Sequence, residues 1–184
     1  MFESVVAANR AALAAFGLET DGTEAVETTD RIEPDEDLPE WDADTTASSP
    51  EDIEVGDMFE FTKTIADDDV QEFAAASGDT NPLHLDDEYA EETRFQGRIA
   101  HGTLVGGLIS AALARIPGLV VYLSQDLEFH NPVRIGSTLT ASCKIVEELG
   151  NSQFRLTTQV HNENSDVVID GEAVILIDEA PDTE

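Results

Sequence analysis

The stretch 100–118, AHGTLVGGLISAALARIPG, carries one charge, Arg115, and is followed directly by four strand-like runs. It reads as a helix that Pro117 and Gly118 bring to a stop. A helix this apolar must be covered on most of its sides. The runs 119–129, 138–149, 153–161 and 167–177 are rich in β-branched and apolar residues, and the polar turns HNPVRIGS, GNS and NENSD separate them. A sheet needs one face covered and this helix needs nearly all of its surface covered. The simplest arrangement is an α+β fold in which a long central helix is wrapped by a curved antiparallel sheet. Gly106, Gly107 and Ala111 permit close contact between helix and sheet, and packing alone also accounts for them.

Upstream, Phe59 and Phe61 alternate with polar neighbours as in a strand, and DDDVQEFAAASG predicts a helix capped by Asp67 or Asp68 and ended by Gly78. DDEYAEET predicts a further short helix. The domain is expected to span 53–178, with an acidic tail over 179–184. Residues 1–17, MFESVVAANRAALAAFG, place Phe2, Val5, Val6, Leu13 and Phe16 near one face of an amphipathic helix. Between them lies an acidic stretch, 18–52, with Pro34, Pro39 and Pro50 and little apolar periodicity, expected to be a disordered linker. With 184 residues, 41% of them hydrophobic, the chain supports one sizeable core rather than two.

Forty acidic residues face nine basic ones, giving a formal charge of −31, and such a surface repels nucleic acid and anionic membranes. The only lysines are Lys63 and Lys144, and acid excess with lysine depletion resembles proteins of salt-saturated cytoplasm. At molar salt the screening length is roughly 3 Å, so mutual repulsion costs little there. The alternative is an acidic tail on an ordinary protein, but the charge runs through the domain. Cys143 is alone, so no internal disulfide framework is expected, and no signal peptide or membrane span is apparent; a reducing cytoplasm follows. His84, His101, His130 and His161 have no partner at metal-ligand spacing, and no glycine-rich phosphate loop occurs, so neither metal nor cofactor is expected.

The stretch 76–86, ASGDTNPLHLD, sets Asp79 and His84 five positions apart around Asn81 and Pro82. Gly78 can adopt backbone angles closed to other residues, Asn81 can bond its own backbone and Pro82 fixes one torsion, so the loop is stiff. It can hold a carboxylate and an imidazole toward one cavity, and an imidazole exchanges protons near neutrality. The plainer alternative has Asp79 capping a turn and His84 as a hydrogen-bonded core histidine. A second element, IAHGTL, opens the apolar helix. The first N–H groups of a helix have no internal partner, and Gly102 can present its N–H to a ligand oxygen. Carboxylate, imidazole and bare N–H suffice to add water across a double bond conjugated to a carbonyl. The alternative is that His101 and Gly102 only begin the helix.

GDTNPLHLDDEYA, IAHGTLVGGLISAAL and LSQDLEFHNPVRIGSTLTA together resemble the MaoC-like family of (R)-specific enoyl-CoA hydratases, the hydratase 2 group, over about residues 53–178. The first motif is the most specific: the family's G-D-x-N-P-[LIV]-H core, with a small residue six positions after the histidine, is matched by Gly78 to His84 and Ala90. The resemblance implies a hot dog fold, a homodimer with its acyl pocket at or near the interface, and an acyl-CoA substrate. It carries the catalytic pair onto Asp79 and His84, the oxyanion N–H onto Gly102 and a supporting serine onto Ser110. The resemblance implies that His84 acts as base while the water oxygen attacks C3 and that Asp79 mediates proton delivery to C2. Ser110 has the alternative of bonding back to its own helix.

Asn81, His101 and Thr103 flank this set and are candidates for substrate contact. Arg94, Arg98, Arg134 and Lys144 are candidates for the coenzyme A phosphates, with scattered solvated cations as the alternative. Where the family more often has a larger apolar residue this chain has Thr103, and its first 52 residues lack a counterpart in the small members. The rival readings are a hot dog thioesterase and a non-catalytic acyl-binding or scaffold module. Residues 1–17 are loosely similar to helices of granule-associated phasins. They are therefore expected to dock on a polyhydroxyalkanoate synthase or storage granule, with packing on their own domain as the alternative.

Overall fold

The computed structural model describes residues 32–33, 36–178 and 180, so the helix expected over 1–17 lies outside the described residues. The chain divides into two units, Met1–Asp37 and Leu38–Glu184. In the first, the Glu36 N–H bonds the Glu33 carbonyl at 3.2 Å. The second holds the sheet and helices. Its elements in order are β1 (Asp42–Thr45), a 3-10 turn (Pro50–Asp52), β2 (Met58–Thr64), α1 (Asp67–Ser77), α2 (Pro82–Leu85), α3 (Asp87–Glu91), α4 (Gly102–Leu113), β3 (Leu119–Phe129), β4 (Thr138–Gly150), β5 (Gln153–Asn162) and β6 (Val167–Asp178). The strands form one antiparallel sheet in the order β1-β2-β4-β5-β6-β3.

Period-two alternation decides which face of each strand is buried. Leu139, Ala141, Cys143 and Ile145 of β4, with Leu156 and Val160 of β5, point into a core that also takes Val105, Ile109, Ala112 and Leu113 of α4. Ile109 is fully buried, and its truncation to alanine would cost about 2–5 kcal/mol. The same burial pushes the Cys143 thiol up to about 12. Gly171 allows β3 and β6 to pair closely, because a β-carbon there would fall 1.8 Å from the Asp126 carbonyl oxygen. Among the described residues no helix is long and apolar enough to cross a membrane.

Three expectations change. The domain begins before residue 53, and part of the stretch read as a disordered linker is structured. There, β1 pairs with β2, Trp41 meets Phe61 edge-on with centroids 5.6 Å apart, and Ala47 is buried. Backbone hydrogen bonds hold this edge strand, and the apolar anchors lie outside its DADT core, so alternation had nothing to register. The N-cap of α1 is Ala66 rather than Asp67 or Asp68. Asp69, a turn later, accepts from the Ala66 N–H at 2.8 Å, and the two other aspartates lie in the first turn, where the helix dipole favours acids. Lastly, α4 is covered on one side only: Thr103, Gly107 and Ser110 are exposed in the single chain.

Candidate active site

Helix α1 ends at Gly78 in the left-handed region, φ 79°, with its N–H on the Ala74 carbonyl at 2.9 Å. The chain then turns on side chains. Ser77 Oγ accepts from the Asp79 N–H at 3.1 Å, Asp79 Oδ1 accepts from the Asn81 N–H at 3.3 Å, and Asn81 Oδ1 accepts from the Leu83 N–H at 3.1 Å. Asn81 thereby caps α2, and Pro82 fills its first position, where the missing N–H costs nothing. One turn of helix later comes His84, 8% exposed.

The imidazole of His84 sits on a main-chain carbonyl: Nδ1 lies 2.7 Å from the Ile99 oxygen. A carbonyl only accepts, so in the neutral ring the proton is on Nδ1 and Nε2 carries the open lone pair. His101, 1% exposed, is likewise committed, its Nε2–H donating to the Asp79 main-chain oxygen at 3.0 Å. The His84 and His101 ring centroids lie 3.9 Å apart at 33°, and Phe73 packs on the His101 ring at 4.9 Å. One ligand-type atom each of Asp79, His84 and His101 lies within 4.8 Å of the others. Asp79, His84 and His101 thus form one cluster.

His101 is also the N-cap residue of α4, yet its side chain makes no capping bond. The N-cap residue thus offers no side-chain cap to the first N–H groups of α4. Gly102 lines a cavity of about 490 Å³ together with His84, Ile99, Val105 and Phe129, a size suited to a small-molecule pocket. A side chain at Gly102 would meet the Phe129 ring at 2.8 Å, so glycine is what fits there.

The remaining candidates divide. Arg94 lines the cavity, its guanidinium 4.8 Å from the Phe95 ring centroid. Arg98 and Arg134, expected to meet substrate, are instead engaged by the protein. Arg98 pairs with Asp67 at 2.7 Å and Asp87 at 2.8 Å, and the Asp87 hydrogen bond leads in holding its pKa above the ordinary value. Arg134 donates to the carbonyls of Gly97, at 2.9 Å, and Phe95. Charge in the sequence says nothing about which carbonyls lie within reach. Asn81 gives its Oδ1 to the turn, and His101 is buried on the Asp79 main chain. Thr103 and Ser110 are exposed on α4 outside the cavity lining, Ser110 about 12 Å along the helix from Gly102. Lys144 is exposed on β4, also outside the lining.

Sequence reasoning missed Phe129, Asn131 and Val133, which line the cavity together with His130. Their signal was the F-H-N-P-V run at the end of β3, where a strand breaks into a turn. It also missed that folding gathers ligand-type side chains which are remote in sequence. Besides the group at His84, Glu128, His130 and Asp170 come within 4.8 Å of one another, and His130 Nε2 bonds Asp170 Oδ1 at 2.7 Å. That hydrogen bond is the main cause of a raised His130 pKa.

The MaoC like domain family matches residues 52–168. The chain is 44% identical over 132 residues to an (R)-specific enoyl-CoA hydratase of Rhodospirillum rubrum, covering 69% of this chain and 90% of that protein. Its structure is similar to the unliganded R-hydratase PhaJ1 of Pseudomonas aeruginosa, with TM-score 0.68, 42% identity, and coverage of 74% and 92%. It is also similar to the (R)-hydratase of Aeromonas caviae involved in PHA biosynthesis, with TM-score 0.66, 33% identity, and coverage of 69% and 98%. The helix-in-sheet architecture is therefore the α+β hot dog fold, as the motifs implied. With G-D-T-N-P-L-H intact in that frame, the chain belongs to the MaoC-like family.

Proposed function

We propose that this protein is an (R)-specific enoyl-CoA hydratase, a hydro-lyase that adds water across the double bond of trans-2-enoyl-CoA to give (R)-3-hydroxyacyl-CoA. The observation that carries this reading is the state of His84: Nδ1 is held by the Ile99 carbonyl at 2.7 Å, so Nε2 is left to take a proton, and Asp79 offers its carboxylate in the same cluster. A water between them loses one proton to His84 as its oxygen bonds C3. The electron pair of the double bond moves toward the thioester, whose oxygen is met by the Gly102 N–H. The proton taken up by His84 then passes to the Asp79 carboxylate and from it to C2, which returns both groups to their starting states. The same path in reverse dehydrates the hydroxyacyl thioester. No cofactor enters these steps.

Arg94, at the cavity beside Phe95, is the cation best placed for a coenzyme A phosphate. The working unit is a homodimer. Support comes from edge strand β3, with Leu119, Val121, Tyr122 and Leu123 exposed, and from the open Thr103, Gly107 and Ser110 face of α4. In a dimer Ser110 would be covered, and its supporting role depends on that cover. The lone, deeply buried thiol of Cys143 suits a reducing cytoplasm.

The acid excess is an adaptation to molar salt. Dialysis to about 0.1 M, where the screening length grows to roughly 10 Å, should lower the melting temperature, and an unchanged value refutes it. Residues 1–17 dock on a synthase or storage granule, as their apolar spacing suggests, and the product feeds polyhydroxyalkanoate synthesis. Removing 1–37 should abolish granule co-sedimentation and leave hydration within about two-fold of the full chain; unaltered co-sedimentation refutes docking.

Incubation with crotonyl-CoA in high salt tests the central reading. Loss of the enoyl absorbance without thiol release is the expected result; release of free thiol marks a thioesterase, and no change marks a binding module.

A further inference from the structure

His101 takes no part in the steps above, yet it touches every group that does. Its Nε2 bonds the main-chain oxygen of Asp79 at 3.0 Å. Its ring lies 3.9 Å from that of His84 and is backed by Phe73 at 4.9 Å. By position it is the residue immediately before Gly102, at the head of α4. It is 1% exposed, and its Nδ1 is buried without a hydrogen-bond partner. A buried acceptor left unpaired is unfavourable, so this position is not optimised for stability alone. Phenylalanine would supply the stacking without the orphaned atom, and glutamine would supply the donor without the ring. Only histidine does both.

We infer that His101 is a positioning residue, a spacer whose N–H fixes the Asp79 main chain and whose ring fixes the plane of His84, so that acid, base and the Gly102 N–H keep one separation. The inference rests on the hydratase reading for its effect on turnover and on geometry alone for the contacts. A donor removed from Asp79 lets the 78–82 turn drift, and small misplacements of reacting groups cost large factors in rate.

Three variants separate the two contacts. His101→Phe keeps the ring and loses the donor. His101→Gln keeps an N–H near the Nε2 position and loses the ring, and His101→Asn loses both. With crotonyl-CoA, His101→Asn should lower kcat by about ten-fold or more with KM within about three-fold, and Phe and Gln should each recover part of it. A raised KM at unchanged kcat in these variants makes His101 a substrate contact and overturns the inference, as does kcat within two-fold of normal in all three. Long-range 1H–15N spectra of the intact protein decide the geometry without reference to activity or to variant folding. His84 should appear as the Nδ1–H tautomer and His101 as the Nε2–H tautomer. An Nδ1–H tautomer at His101 would leave the Asp79 carbonyl without its donor and overturns the inference whether or not the protein hydrates crotonyl-CoA. Correct tautomers in a protein without hydratase activity would instead discard the hydratase reading and keep the positional one.

Discussion

Two places in this molecule bring a carboxylate to an imidazole, and they differ in what the imidazole has left to offer. At the end of β3, where His130 also lines the cavity, its Nε2 is bonded directly to Asp170 Oδ1 at 2.7 Å, both side chains about two-fifths exposed. The pair is complete in itself. In the loop after α1, His84 is buried with its Nδ1 on the Ile99 carbonyl, and Asp79 is held by the Asn81 N–H, so neither group is consumed by the other. Proximity of acid and base therefore does not distinguish a catalytic site from an ion pair. What distinguishes them is that at His84 the backbone rather than the partner carboxylate fixes the tautomer, leaving acid and base unbonded to each other.

Substitution sharpens this contrast most. His84→Ala and Asp79→Asn should each lower kcat on crotonyl-CoA by about 10²-fold or more with circular dichroism unchanged, while Asp170→Asn should stay within about two-fold. Equal losses from Asp170 and Asp79 variants would erase the distinction. A similar effect is expected at Gly102, where proline removes the N–H at the first helical position, one that tolerates proline. His101, at φ −62° and ψ 132°, already has the extended backbone required before proline. Because the added ring would strike Phe129, the comparison is made in a Phe129→Ala background, and kcat should fall about 10²- to 10³-fold as for loss of one oxyanion donor. Undiminished turnover removes Gly102 from the site.

The smallest expected effect lies at the surface pair. The Asp170 hydrogen bond raises the His130 pKa in the folded protein, so the pair's contribution to stability is present below about pH 6.5, the ordinary histidine value, and is lost as pH rises through the folded value. Asp170→Asn should lower the His130 titration seen by NMR and lower the melting temperature more at pH 6 than at pH 9. A titration that stays in place would show that another group, Glu128 first, holds the proton.

How much of this was legible beforehand follows from what kind of signal each part carries. The strand 138–149 and the helix opening at Gly102 were readable because burial writes periodicity into sequence. The loop from Gly78 to His84 was readable because each turn residue has its own backbone reason to be there. Strand β1 was not, since DADT joins the sheet through main-chain bonds that any residue can make. The tasks of Arg98 and Arg134 were not either: Asp67, Asp87 and the carbonyls of Phe95 and Gly97 become neighbours only in the fold. The Glu128, His130 and Asp170 cluster is hidden for the same reason, as it joins residues 40 positions apart across β3 and β6.

The most direct test of the account is the fate of solvent oxygen in a single turnover of crotonyl-CoA in 18O-water, run on the intact protein, on Asp170→Asn and on His84→Ala. The account predicts one 18O at C3 of (R)-3-hydroxybutyryl-CoA for the first two and almost none for the third. Label in a released carboxylate, or the same C3 label in His84→Ala as in the intact protein, would contradict it.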